Sequence, residues 1–174
     1  GYWIPADLLP RRVVQKRLWP DTICRQRGQG MVVGTADIKL QSSDILAGLK
    51  HGNRIMQVLL SKECQVKGFD ELIVFREDGS LVEAIASNIL VVLDEKLVTP
   101  AKPDVAGVGL QWVKSQQIPL EFCRLSLNEL RKASEILLIN SVAGVRPVRR
   151  WEDQTFEVGE MCHRLQNLWN QMLP

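Results

Sequence analysis

The sequence predicts a mixed α/β domain, and three observations carry that prediction. Two pairs of apolar, β-branched runs are each joined by a short polar turn: "DELIVFRE" with "LVEAIAS" about an Asp-Gly, and "NILVVLD" with "KLVTP" about a short acidic turn. Such hairpins exclude a purely parallel sheet. Helical patterns punctuate the strands, most clearly at the end, where Met161, Leu165, Leu168, Trp169 and Met172 recur at i, i+4, i+7, i+8 and i+11. With 174 residues, 45% of them hydrophobic, the chain suits one domain with a substantial core.

Taken in order, "RRVVQKRLW" and "MVVGTADIKL" are rich in Val, Ile and Thr and read as strands, with "RGQG" as the turn before Met31. From Asn53 the pattern becomes helical. Ile55, Val58, Leu59 and Val66 form a stripe that Met56 and Leu60 widen, and "VKG" closes it. The two hairpins follow. "KPDVAGVG" is a Pro/Gly loop that opens a helix running through Trp112. "LEFCRL" reads as a strand, "SLNELRKA" as a short helix and "EILLINS" as a strand. "VRPVRRW" adds another after a turn at Ala143 and Gly144.

Composition narrows the functional classes. The net charge is +2, with the positive surplus in "PRRVVQKR" and "CRQR". These runs lack interleaved aromatics and any nucleic-acid reading motif, so they read as a solvated strand edge and no nucleic-acid partner is expected. No apolar run approaches the roughly 20 residues that span a bilayer, and no signal-peptide pattern is present, so no membrane partner is expected. Cys24, Cys64, Cys123 and Cys162 form no CxxC pair, and only His51 and His163 accompany them. Neither a metal site nor a disulfide framework is expected, which points to a reducing, cytoplasmic protein.

Three places hold candidate chemistry. Lys50, in "LAGLKHGNR", sits between a glycine-bearing turn and a helix start. That placement suits a solvated loop lysine as well as a mobile amine presented as a nucleophile. Glu83 lies in the second strand of the first hairpin, where it either faces water or serves as a placed acid. Gly107 and Gly109 either shape a turn or free backbone N–H groups at a helix start for an anion. Jointly, an amine, an acid and an anion cradle are the parts a pyridoxal phosphate site needs.

The wider blocks sharpen this. "LAGLKHGNRIMQVL" closely resembles the lysine segment of the class IV aminotransferase family, the fold-type IV pyridoxal phosphate enzymes. "GSLVEAIASNILVV", "DVAGVGLQWV" and "ASEILLINSVAGVRPV" are similar to its later blocks, in the same order, so the resemblance runs from Lys39 to Val148. The LKHxNR form looks most like the lyase branch, which converts 4-amino-4-deoxychorismate to 4-aminobenzoate and pyruvate in folate synthesis. The alternatives are a class IV aminotransferase of the D-amino-acid or branched-chain type, or a non-catalytic fragment.

The resemblance implies a mixed sheet curled into a pseudo-barrel with flanking helices, pyridoxal 5'-phosphate as cofactor and a small-molecule substrate. It implies that Lys50 is the Schiff-base lysine and that Glu83 pairs with the pyridine nitrogen. Ser87 and Asn88 would line the ring side, and Val108 and Gly109 would hold the phosphate through their amides. Asn140 and Ser141 would lie beside phosphate and substrate, with the Ser141 hydroxyl as a further donor. His51, Asn53 and Arg54 complete the lysine motif and receive no chemistry. Where the family often carries an Arg shortly after the phosphate pair, Leu110 stands here.

Family members begin with a smaller N-terminal domain and are commonly dimeric. "GYWIPADLLP" is similar to their interdomain segment. Residues 1–30 are therefore expected to be that segment and a first strand, and residues 31–174 the large C-terminal, cofactor-binding domain. The N-terminal domain is expected to be missing from this chain, and a homodimer is expected for the full-length enzyme.

Overall fold

The computed structural model describes residues 7–18, 20–41 and 48–172. Residues 8–18 take no regular secondary structure, so the strand expected over "RRVVQKRLW" does not form; Trp19 lies outside the described residues. A strand needs a neighbour for its backbone groups. Val13 and Val14 instead stand 79% and 88% exposed. The second basic run belongs to a helix rather than a strand edge: α1 (Asp21–Gln29) contains "CRQR". Asp21 sits in its first turn, where a carboxylate suits the helix dipole. The "RGQG" turn is the end of this helix, at Gly30 with φ 78°. Only Ile23 of α1 is buried, so no apolar stripe announces it.

The remaining elements follow the expected order. They are β1 (Met31–Thr35), α2 (Ile55–Lys67), β2 (Glu71–Phe75), β3 (Leu81–Ala84), β4 (Asn88–Leu93), β5 (Lys96–Pro100), α3 (Val108–Ser115), β6 (Leu120–Cys123), α4 (Leu127–Leu130), β7 (Glu135–Asn140), β8 (Gly144–Trp151), β9 (Gln154–Thr155) and α5 (Glu160–Asn170). Turn chemistry explains the boundaries. Asp78 accepts the Ser80 N–H at 2.9 Å in the first hairpin. Asp94 and Glu95 both adopt positive φ in the second, the geometry of a two-residue hairpin loop. Ser126 and Glu129 form a reciprocal capping box on α4.

The strands run β3-β2-β1-β8-β7-β4-β5-β6, with β9 against β8. β1 pairs in parallel with β2 and β8, and β5 with β6, while the other neighbours are antiparallel. The sheet curls until its two edges meet. The Leu81 N–H of edge strand β3 donates to the Leu125 carbonyl, just past edge strand β6, at 2.7 Å. One core cluster accordingly draws Met31, Ile73, Leu81, Val91, Val98, Leu138 and Trp151 from seven strands onto a shared inner face. Outside the curl, α3 and α5 cover β4, β7 and β8, and α2 covers β2. The fold is thus a mixed sheet curled into a half-barrel with flanking helices.

α2 is rotated from its expected orientation. Leu60 and Cys64 are buried and Met56 is partly so, whereas Ile55, Val58 and Val66 are exposed, Val66 by 81%. Positions 56, 60 and 64 make a second apolar stripe once cysteine is counted as a small hydrophobe. Periodicity alone does not say which stripe packs. On α5, Leu165 and Trp169 are buried as expected, while Met172 lies beyond the helix end. Among the described residues no helix is long and apolar enough to cross a membrane.

Candidate active site

A cleft of about 310 Å³ opens where the segment after β3, the start of β4, the end of β7 and the start of α3 converge. Lys50 and the first turns of α2 form its opposite wall. Lys50 is exposed and precedes the helix in a stretch without regular structure. That stretch is tied down at Gly48, whose N–H donates to the Asp104 carbonyl at 2.5 Å. Asn53 accepts the Ile55 N–H at the start of α2 at 3.4 Å, a structural role for one member of the lysine motif.

Glu83 reaches the cleft from β3 and is 9% exposed. Its Oε2 accepts the Val105 N–H at 3.1 Å and Asn88 Nδ2 at 3.3 Å. Oε1 accepts no hydrogen bond from the described residues. Burial pushes the carboxyl up to about 7; the Val105 N–H opposes this, the Asp104 charge adds to it, and Arg54 and Lys50 pull back. A carboxyl of this kind takes a nearby cation readily, because a positive partner offsets the cost of ionising in a buried place.

Asn88 positions the loop opposite. Its Nδ2 donates to the Val105 carbonyl at 2.7 Å, and its Oδ1 accepts the Gly107 N–H at 3.0 Å. A Cβ at Gly107 would fall 2.5 Å from that same oxygen, so glycine is what allows the approach. Val108 then opens α3, with Gly107 as an N-cap that supplies no side-chain acceptor. The first helical bond runs from Gln111 N–H to the Gly107 carbonyl at 3.1 Å. The N–H groups of Val108 and Gly109 therefore have no acceptor among the described residues, and the positive end of the helix dipole adds to them. Gly109 sits tightly on β7; a Cβ there would lie 2.8 Å from Ile139 Cγ1. Leu110 is fully buried in the core under α3.

The other candidate residues divide into those that face the cleft freely and those that build its wall. Ser141 lines the cleft, is exposed, and its hydroxyl makes no hydrogen bond to the described residues. Asn140 is saturated: Oδ1 accepts the Val142 and Ala143 N–H groups at 3.0 and 2.7 Å, and Nδ2 donates to the Ala86 carbonyl and Ser87 Oγ. Ser87 Oγ in turn donates to Glu71 at 3.2 Å and accepts from Arg146 at 2.6 Å. The side chains of Ser87 and Asn140 thus hold the wall, and only their backbones and edges meet the cleft.

Two residues that sequence reasoning missed anchor this wall. Arg146 and Glu71 form an ion pair at 3.2 Å, with side chains only 7% and 6% exposed. Glu71 also accepts the Ala86 N–H at 2.8 Å, and Arg146 reaches Gln26 of α1 at 2.9 Å. The signal was a charge within a buried stretch of each strand, Glu71 in β2 and Arg146 in the first half of β8, legible only once those strands are known to lie close. Arg54 is a third: it lines the cleft and lowers Glu83 from across it. No cluster of potential metal ligands occurs among the described residues.

Comparison with known proteins places the whole arrangement. The family model described as amino-transferase class IV matches residues 20–151. A curated relative, the aminodeoxychorismate lyase of Vibrio harveyi, is 30% identical over 152 residues, 82% of this chain and 56% of its own length. The crystal structure of 4-amino-4-deoxychorismate lyase from Pseudomonas aeruginosa superposes with a TM-score of 0.87 at 35% identity, covering 99% of this chain and 66% of that one. The branched-chain amino acid aminotransferase of Escherichia coli shares the fold at a TM-score of 0.72 and 22% identity, covering 82% of this chain and 51% of that one. The chain thus spans about half to two thirds of the length of these relatives.

Proposed function

The chain belongs to the class IV aminotransferase family, and from that premise we propose that it is the cofactor-binding part of a pyridoxal phosphate lyase that converts 4-amino-4-deoxychorismate to 4-aminobenzoate and pyruvate. The carrying observation is the cleft that holds Lys50 opposite a buried Glu83 with one carboxylate oxygen left without a partner among the described residues. The cleft's donors and acceptors fit the cofactor. Glu83 would face the ring nitrogen, Val108 and Gly109 N–H groups and the Ser141 hydroxyl would take the phosphate, and Lys50 would supply the amine for the aldehyde. Pyridoxal phosphate, when bound, supplies an electron sink for the electron pair released at the substrate carbon that bears the amine.

The chain's own groups do the rest. Lys50 Nζ, as a free amine, would remove the proton from the amine-bearing ring carbon. Glu83, ionised, keeps a positive charge favourable beside it. Loss of that ring proton and of the enolpyruvyl group leaves an aromatic ring. No net oxidation occurs, so no keto-acid acceptor is needed. The lyase reading is supported by the 30% and 35% identities to two lyases over 82% and 99% of the chain; a branched-chain aminotransferase reaches 32%, but over 49% of the chain.

The runner-up is a class IV aminotransferase, supported by branched-chain aminotransferase-like relatives at 27% and 25% identity. In this proposal residues 31–174 are the cofactor-binding domain, a smaller N-terminal domain completes the cleft, and the full-length enzyme is a cytoplasmic homodimer. Assaying 4-aminobenzoate release with no keto acid present decides between the readings. Release supports the lyase; product formation only with 2-oxoglutarate refutes it in favour of the aminotransferase.

A further inference from the structure

A second cavity, of about 210 Å³, lies at the turn between β2 and β3 beside the ends of β5 and β6, and shares no lining residue with the cleft. Arg76, Lys102 and Arg124 bring three cations to it, and Asp78 the one carboxylate. Asp78 is already committed. Its Oδ1 accepts the Ser80 N–H and hydroxyl at 2.9 and 2.6 Å, and its Oδ2 pairs with Arg124 at 3.2 Å. Arg124 also donates to the Asp78 carbonyl at 3.1 Å, which closes a neutral pair at the rim.

Arg76 is left over. It is only 8% exposed, yet it forms no ion pair with a carboxylate of the described residues. Its hydrogen bond to the Lys102 carbonyl, at 3.3 Å, uses one of five donors. A guanidinium taken out of water costs several kcal/mol unless an anion meets it. None of its nitrogens is sealed in protein without a partner, and the residue lines the cavity. Lys102, on the adjoining loop, adds a mobile ammonium at the mouth.

We propose that this cavity is a second binding site, for a small oxyanion whose phosphate or carboxylate group is gripped by the Arg76 fork and closed over by Lys102. A planar guanidinium matches both groups through two parallel N–H donors, and the ammonium adds charge without fixing geometry. The cavity volume restricts the ligand to a small metabolite or the free ion, and the net positive charge favours anions over cations.

The test is a titration of the full-length protein with inorganic phosphate and, separately, with malonate, read by NMR at arginine Nε–H and backbone amides. The expected result is a saturable shift at Arg76 and Lys102 with at least one probe. A response to phosphate alone assigns a phosphate ligand, and a response to malonate a carboxylate. Lys102→Gln, which is exposed and leaves the core intact, should weaken that response by about tenfold, a loss typical of one charge-assisted contact. The Val108 and Gly109 amides, which report anions in the cleft, should titrate unchanged in that variant. Linear, unsaturating shifts at Arg76 with both probes, or an equal affinity in Lys102→Gln, overturn the proposal.

Discussion

Replacing Glu83 by Gln separates the cost of its burial from its use. The carboxyl rises from the ordinary 4.5 to about 7. At about 1.4 kcal/mol for each pH unit, ionising it in the folded chain costs about 3–4 kcal/mol more than in the unfolded one. The sign follows from a raised folded-state value. The stabilising contribution of the protonated form is complete below pH 4.5 and is lost as pH rises through about 7. Glutamine is nearly isosteric, keeps an oxygen for the Val105 and Asn88 donors, and does not titrate. Cofactor-free Glu83→Gln should therefore match the parent near pH 4.5 and melt higher above pH 7, by roughly 7–14 °C for a chain of this size. With cofactor and substrate the same variant should lose turnover on the order of 10²–10³-fold, as expected for removing a placed charge. Thermal unfolding across pH 4.5–8 reads the first effect and 4-aminobenzoate release the second. Parallel stability profiles for the two proteins, or undiminished turnover, would refute the reasoning.

Lys50→Ala should abolish turnover and the visible absorbance of lysine-bound cofactor while leaving the unfolding curve in place, because the side chain is exposed; a persisting band would exclude Lys50. Val108→Ala should bind cofactor nearly normally, since a phosphate would use its N–H, whereas Gly109→Pro should lose at least about 1.5–3 kcal/mol of affinity, because it removes the N–H and also sets a Cβ against Ile139. Equal losses in spectroscopic titration would place the phosphate elsewhere. Arg146→Ala leaves Glu71 buried without its cation and should destabilise the fold by about 3–5 kcal/mol in urea unfolding; a change below about 1 kcal/mol would mean that the pair is not desolvated.

Much of the fold was legible because hairpins announce themselves locally. The Asp78–Gly79 and Asp94–Glu95 turns fix which runs pair, and the apolar runs on either side need no distant information. What failed depended on distant partners. Val13 and Val14 look like strand residues, but strand propensity measures fit to a neighbouring strand, and none pairs with them among the described residues. α1 shows the converse: it forms with one buried residue because Gln26 meets Arg146 and Gln166 donates to the Arg27 carbonyl. α2 failed in orientation alone, since two stripes were present and only contact with β2 chooses between them.

The candidate site was legible in a different way. Lys50, Glu83 and Val108 are far apart in the chain and meet at one cleft, and nothing in their local patterns required it. The spacing that does have a local cause is that of Glu83 and Asn88, five residues apart. β3 ends at Ala84 and β4 begins at Asn88, with the Ala84 N–H turning back onto the Ser87 carbonyl at 2.8 Å. That tight crossing sends Asn88 back beside Glu83, so both can hold the Val105 peptide, one by its N–H and the other by its carbonyl. Asn88 also fixes Gly107 one step before the helix start. A single side chain therefore ties the placement of the acid to that of the free N–H groups on α3. Ser87 and Asn140 were candidate ligands through the family resemblance, yet their side-chain polar atoms are used in holding that crossing. Geometry separates such residues from those without a partner among the described residues, Lys50, Ser141 and one oxygen of Glu83, which a pattern of letters weighs alike.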